Sequence, residues 1–117
     1  MLNLPSNVRV FLCTQPTDMR KSFDGLMGLV SVVLEQDPLS GHLFLFVNRR
    51  RDRMKALWWD RDGLAIFYKR LEQGTWQVPP FEDGTAGLEV NADQLAMMLC
   101  GIDLSTVRKR RRYQRSA

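Results

Sequence analysis

One stretch, residues 42–72, constrains the fold of this chain more than any other. It contains three short apolar runs rich in aromatic and branched side chains, at 43–47, 54–59 and 64–71. Runs of this length and composition favour β-strands over helices. Two charged turns join the runs, and the second ends in Asp62-Gly63, a dipeptide typical of tight hairpins. The stretch therefore predicts a three-stranded antiparallel meander.

Shorter segments outside the meander predict further strands and a second helix. Residues 8–13 form an apolar run, and 88–90 form a brief extended piece. Residues 75–78 can add a short strand before a pair of prolines stops it. Asn91 is a favourable N-cap for a helix over 92–100, whose apolar residues recur at helical spacing.

The segment 21–36 predicts a longer amphipathic helix. Its apolar residues recur in steps of three and four, which gives the helix one face to bury against the sheet. Thr17 or Asp18 can cap its start through a side-chain oxygen. Gly25 and Gly28 each cost about 1 kcal/mol relative to alanine in a helix, so they indicate close packing against the sheet or another backbone.

These elements predict an α+β fold with a mainly antiparallel sheet, roughly four to six strands including the meander, and two helices. The 117 residues, 44% of them hydrophobic, suit a single domain, which we place at residues 1–107. Residues 108–117 are predicted to form a basic, disordered tail. This tail holds six of the 17 basic residues and none of the 13 acidic ones, so the remaining chain carries a net charge of −2.

Basic side chains cluster at two places that suggest contact with DNA. The first cluster lies around the turns of the meander: Arg49, Arg50, Arg51, Arg53, Lys55 and Arg61. The second lies in the tail: Arg108, Lys109, Arg110, Arg111 and Arg112. Such side chains bind phosphates, and phosphate contacts position a protein without reading the base sequence. Alternatively, the meander arginines pair with Asp52, Asp60 and Asp62 on a solvated surface.

Aromatic side chains beside these arginines offer a second means of binding nucleic acid. Trp58 and Trp59 are adjacent in one predicted strand and should therefore point to opposite faces of the sheet. An exposed indole can stack on an unpaired base, whereas two buried indoles would belong to the core. The sequence leaves both alternatives open.

The sequence offers little for catalysis, metal binding or a cofactor. His42 is the single histidine and has no accompanying serine or cysteine motif. No glycine-rich phosphate loop occurs, and two cysteines with one histidine are too few for a four-ligand zinc site. We therefore predict no enzyme activity, no metal and no cofactor, with metal-dependent DNA cleavage as a third alternative to test.

Several features predict a cytoplasmic protein without membrane contact. No apolar run approaches the ~18 residues needed to span a membrane. The first residues, MLNLPSNVRVFLC, lack the basic start of a secretory leader. Cys13 and Cys100 lie in apolar contexts, which indicates free thiols in a reducing compartment.

Long motifs in the chain resemble a known family. They are PTDMRKSFDGL (16–26), DPLSGHLFLF (37–46), NRRRDRMKALWWDRDGLAIFYKRLE (48–72) and LCGIDL (99–104). Together they resemble the accessory protein TnpB, or Orf2-like protein, of insertion sequences of the IS-sixty-six type. The resemblance covers residues 8–104 and implies a role in transposition beside a separate, larger transposase that carries the catalytic residues. It supplies no binding or catalytic residues for this chain.

We therefore predict a non-catalytic accessory protein for DNA transposition of an insertion sequence. Its expected partners are DNA, through largely non-specific phosphate contacts, and the transposase of the same element; self-association is left open. The alternative is an adaptor that acts only through the transposase, without touching DNA. Salt distinguishes the two, because DNA affinity falls steeply as salt rises while apolar docking hardly changes.

Overall fold

The computed structural model describes residues 7–100. Its elements are β1 (Val10–Cys13), α1 (Phe23–Val32), β2 (Leu43–Val47), β3 (Arg53–Asp60), β4 (Gly63–Arg70), β5 (Gly87–Val90) and α2 (Ala92–Cys100). The predicted tail at 108–117 and the domain boundary at 107 lie outside the described residues. Within the described range, the three strands of the predicted meander all form.

The five strands make one sheet in the order β4-β3-β2-β1-β5. The pairs β2–β3, β3–β4 and β1–β5 are antiparallel, which confirms the predicted α+β fold with a mainly antiparallel sheet. The pair β1–β2 is parallel. Parallel neighbours need a crossover connection, and α1 lies in the segment that makes it. The ends of β1 and β2 therefore open onto the same edge of the sheet.

The sheet is covered on both faces, with β2 at its centre. All five residues of β2 are buried, as expected for a continuous apolar run between two layers. On one face Leu26 and Val30 of α1 pack with Phe44, Phe46 and neighbouring side chains. On the other face Met98 of α2 and Trp76 pack against the alternate residues of the same strands. The predicted packing of the longer helix on a sheet face is thus confirmed.

Two segments differ from the predictions. Residues 75–78 form no strand; instead the Trp76 side chain is buried in the same core cluster as Met98 of α2. Helix α1 is shorter than predicted and ends at Val32, after which Glu35 adopts a positive φ of 54° and turns the chain away. Its N-cap is Ser22, without a side-chain cap hydrogen bond, in place of Thr17 or Asp18.

The predicted close packing at the α1 glycines is wrong, and this gives a stability test. A Cβ on Gly28 would meet no atom within 4 Å, whereas one on Gly25 would lie 3.2 Å from the Lys21 side chain. We expect Gly28→Ala to raise the free energy of unfolding by about 1 kcal/mol, because alanine is the better helix former. Urea unfolding measures the gain. Gly25→Ala is the matched control and should gain less; equal stability of wild type and Gly28→Ala would contradict the expectation.

Candidate nucleic-acid interface

The turn between β2 and β3, residues 48–52, forms an ordered hairpin tip. The side-chain oxygen of Asn48 accepts hydrogen bonds from the backbone N–H groups of Asp52 and Arg53, both at 3.0 Å. Its amide nitrogen donates to Asp52 Oδ1 at 2.7 Å. The backbone N–H of Arg51 donates to the Asn48 carbonyl at 3.0 Å. One asparagine therefore fixes the path of the whole tip.

The same tip is also held from outside. The backbone N–H of Trp76 donates to the Arg51 carbonyl at 2.8 Å, and that of Leu71 donates to the Asp52 carbonyl at 2.7 Å. Arg51 itself has a positive φ of 60°, a conformation that non-glycine residues rarely adopt. These two external bonds add to those of Asn48 in fixing the backbone of this arginine-rich turn.

The loop between β1 and α1 packs beside the hairpin tip. The backbone N–H of Thr17 donates to the carbonyl of Val47, the last residue of β2, at 2.9 Å, and the Thr17 side chain is buried. Between loop and tip lies an open depression of about 440 Å³, which we call the basic depression. It is lined by Thr17, Asp18, Met19, Arg20, Asn48, Arg49, Arg50, Arg53 and Tyr68.

Positive charge dominates this depression. Its lining holds four guanidinium groups and one carboxylate. That carboxylate, Asp18, pairs with Arg20 at 2.6 Å, and Arg50 lies 3.9 Å from Asp52 just outside the lining. Among residues 7–100, no acidic side chain lies within salt-bridge distance of Arg49 or Arg53. Two arginines are thus available to bind an added anion.

The Asp18–Arg20 pair gives a testable pH dependence. Hydrogen bonds from the Arg20 side chain lower the pKa of Asp18 from 3.8 to about 2. Because this pKa lies below that of the unfolded chain, ionised Asp18 stabilises the fold above about pH 4, and the contribution is lost as the pH falls to about 2. Asp18→Asn should flatten this part of the stability curve, measured by thermal unfolding from pH 2 to 6. Arg20→Gln should flatten it too; an unchanged slope in both variants would contradict the assignment.

Lys55, one of the predicted DNA contacts, is buried. Strand alternation places Arg53 and Lys55 on the α1 face and Met54 and Ala56 on the other. The Lys55 ammonium donates to the Lys21 carbonyl at 2.7 Å and lies 4.7 Å from the centre of the Tyr68 ring. Lys55 therefore joins β3 to the segment that precedes α1.

The remaining predicted residues lie apart from the depression. Arg51 is exposed but does not line it. Arg61 lies in the opposite turn; β3 separates the two turns by about 23 Å, at a rise of about 3.3 Å per residue. Arg108, Lys109, Arg110, Arg111 and Arg112 lie outside the described residues. Of the predicted cationic set, the structure brings Arg49, Arg50 and Arg53 together.

Sequence reasoning missed two residues that line the depression. It did not place Arg20 next to the hairpin tip, and it did not single out Tyr68 as the aromatic residue of the site. The signal was present as the order strand, helix, strand across 8–47, which is typical of a parallel crossover. A parallel pair would have placed the loops after β1 and β2 at one edge. Trp58 packs against the core cluster that contains Met98 of α2, and Trp59 is half-buried. Neither tryptophan lines the depression.

The chain belongs to the IS66 Orf2-like family, TnpB_IS66, whose model matches residues 8–109. This confirms the resemblance noted in the sequence, and the family implies an accessory, generally non-catalytic role in the transposition of an insertion sequence. All the residues that line the basic depression lie within the matched range.

Two relatives come from Sinorhizobium fredii. The chain is 32% identical to the uncharacterized protein y4jC over 94% of its own length and 92% of the relative. It is 40% identical to the uncharacterized protein y4hO over 88% of each. No solved structure matches the chain.

Within residues 7–100, neither helix is long and apolar enough to cross a membrane.

Proposed function

We propose that this transposition accessory protein binds DNA at the basic depression, with the sugar–phosphate backbone as its ligand. The observation that carries the proposal is the meeting of the β1–α1 loop with the hairpin tip, which sets four guanidinium groups around one depression. Arg49, Arg50 and Arg53 would bind phosphate oxygens, and Arg20 would contribute beside its partner Asp18. A planar guanidinium suits two oxygens of one phosphate.

The hydrogen bonds that hold the backbone of the tip support this proposal. Arg49 and Arg50 are exposed, while Asn48 and the Trp76 backbone bond hold the tip from which they extend. Phosphate binding then requires ordering of side chains alone, so less conformational entropy is lost on binding. Contacts of this kind position a protein without specifying base sequence, so we expect little sequence preference from this site.

The tail arginines and the transposase complete the proposal. Arg108, Lys109, Arg110, Arg111 and Arg112 would add sequence-independent affinity by releasing counterions from DNA. Family membership suggests association with the transposase of the same element. DNA held at the depression would in that case be presented to the catalytic subunit rather than cleaved by this chain.

Fluorescence anisotropy across a salt series tests the proposal. Labelled duplexes with the terminal repeat of the element, or a scrambled repeat, are titrated with the full chain and with a chain ending at Thr106. We expect both chains to bind both duplexes, with affinity falling as salt rises and a shallower slope for the shorter chain. Absence of binding at 50 mM salt would overturn the proposal and favour an adaptor that contacts the transposase alone.

A further inference from the structure

Among residues 7–100, Tyr68 is the one aromatic residue that lines the basic depression, and it is 48% exposed. It lies on β4 directly opposite Lys55 on β3. The Lys55 ammonium sits 4.7 Å from the ring centre and is itself held by the Lys21 carbonyl at 2.7 Å. A buried cation thus supports the ring from within the fold, and nearly half of the residue faces solvent among arginines.

An exposed aromatic ring among phosphate-binding groups matches the chemistry of single-stranded DNA. Bases in a duplex are stacked on one another and offer no free face, whereas an unpaired base can stack on tyrosine while guanidinium groups bind the flanking phosphates. The volume of about 440 Å³ falls within the ~300–1,000 Å³ typical of small-ligand sites. An unpaired nucleotide is therefore of a suitable size.

We propose that the basic depression binds an unpaired nucleotide of single-stranded DNA, with the base stacked on Tyr68 and its phosphates on Arg49, Arg50 and Arg53. The inference rests on the DNA binding proposed above and deepens it, because it gives the site a preference for unpaired over paired strands. Such DNA arises wherever a duplex is opened or its end is frayed. Stacking is tolerant of base identity, so the preference concerns strand state rather than sequence.

The test compares wild type with Tyr68→Phe and Tyr68→Leu on an oligothymidine strand and on a duplex of equal length. We expect wild type to bind the single strand more tightly than the duplex. Leucine keeps apolar bulk without an aromatic face, so Tyr68→Leu should lose at least about fivefold in single-strand affinity. Its duplex affinity should fall much less, and Tyr68→Phe should retain the wild-type preference.

Photocrosslinking keeps the test decisive if Tyr68→Leu fails to fold. A single strand carrying 5-iodouracil is irradiated with wild-type protein, and the crosslinked peptide is mapped. A crosslink at Tyr68 would support the proposal; crosslinks confined to other residues would overturn it.

Failure of this inference can be told apart from failure of DNA binding itself. If wild type binds both DNA forms equally and Tyr68→Leu matches it, stacking is wrong while phosphate binding stands. If wild type binds neither form at 50 mM salt, the proposed function fails and this inference fails with it.

Discussion

Replacing Arg49 and Arg50 together with glutamine should cause a large loss of duplex DNA affinity without loss of stability. Each phosphate contact contributes about −0.9 to the slope of log affinity against log salt. Removing two contacts should make that slope shallower by about 1.8. Between 50 and 200 mM salt, the affinity of the variant should therefore change about 12-fold less than that of wild type.

The structure explains why this pair should act on binding alone. Among the described residues Arg49 has no acidic partner. Arg50 is itself exposed and lies 3.9 Å from Asp52, a long contact of little energetic weight. The tip keeps its path through Asn48, which neither substitution touches. Glutamine retains much of the side-chain length and polarity while removing the charge.

A matched control removes the same charge elsewhere. Arg61 and Lys69 are exposed and lie outside the basic depression, so Arg61→Gln with Lys69→Gln should leave most of the wild-type slope in place. If the two double variants lose equal DNA affinity, net charge rather than the depression determines binding. If the Arg49/Arg50 variant keeps the wild-type DNA affinity, the proposed site is wrong.

Replacing Trp76 with alanine should lower the free energy of unfolding by about 3–5 kcal/mol. The Trp76 side chain is only 2% exposed and packs in the same cluster as Leu45, Met54 and Met98. Its removal leaves a cavity between the sheet and the segment that crosses it. Since small domains are stable by only about 5–15 kcal/mol, this single change could leave much of the population unfolded at physiological temperature.

Alanine keeps the backbone N–H that donates to the Arg51 carbonyl, but it removes the buried side chain that anchors this segment. DNA binding should therefore also weaken in the population that stays folded. Urea unfolding followed by far-UV circular dichroism measures the stability change without relying on the missing fluorophore. Trp59→Ala is the control, since Trp59 is half-buried and should cost less. Equal costs for the two tryptophans would contradict the role given to Trp76.

Local patterns were enough to predict the strands of the meander. Their apolar runs are short, aromatic and bounded by charged turns, so the backbone has few alternatives. The buried run at 43–47 becomes the central strand because no position in it carries a polar side chain that must face water. Burial on both faces and the pairing with two neighbours follow from that composition.

The candidate site was only half predicted because it depends on contacts distant in sequence. The cluster of arginines at the tip is visible in sequence, but its neighbour, the loop carrying Arg20, is placed by the parallel β1–β2 pair. Lys55 looked like a surface cation, yet the Lys21 carbonyl and the Tyr68 ring satisfy it inside the fold. Neither partner adjoins Lys55 in sequence; each is supplied by tertiary structure.

Nuclear magnetic resonance of the uniformly ¹⁵N-labelled full chain, titrated with a short oligonucleotide, tests most directly whether the basic depression is the DNA site. The amides of residues 18–20 and 48–53 and that of Tyr68 should shift together and saturate at one affinity. Arg49→Gln with Arg50→Gln should suppress these shifts while leaving the rest of the spectrum intact. Shifts confined to α2 or to the turn at Arg61, with the depression unmoved, would contradict the assignment.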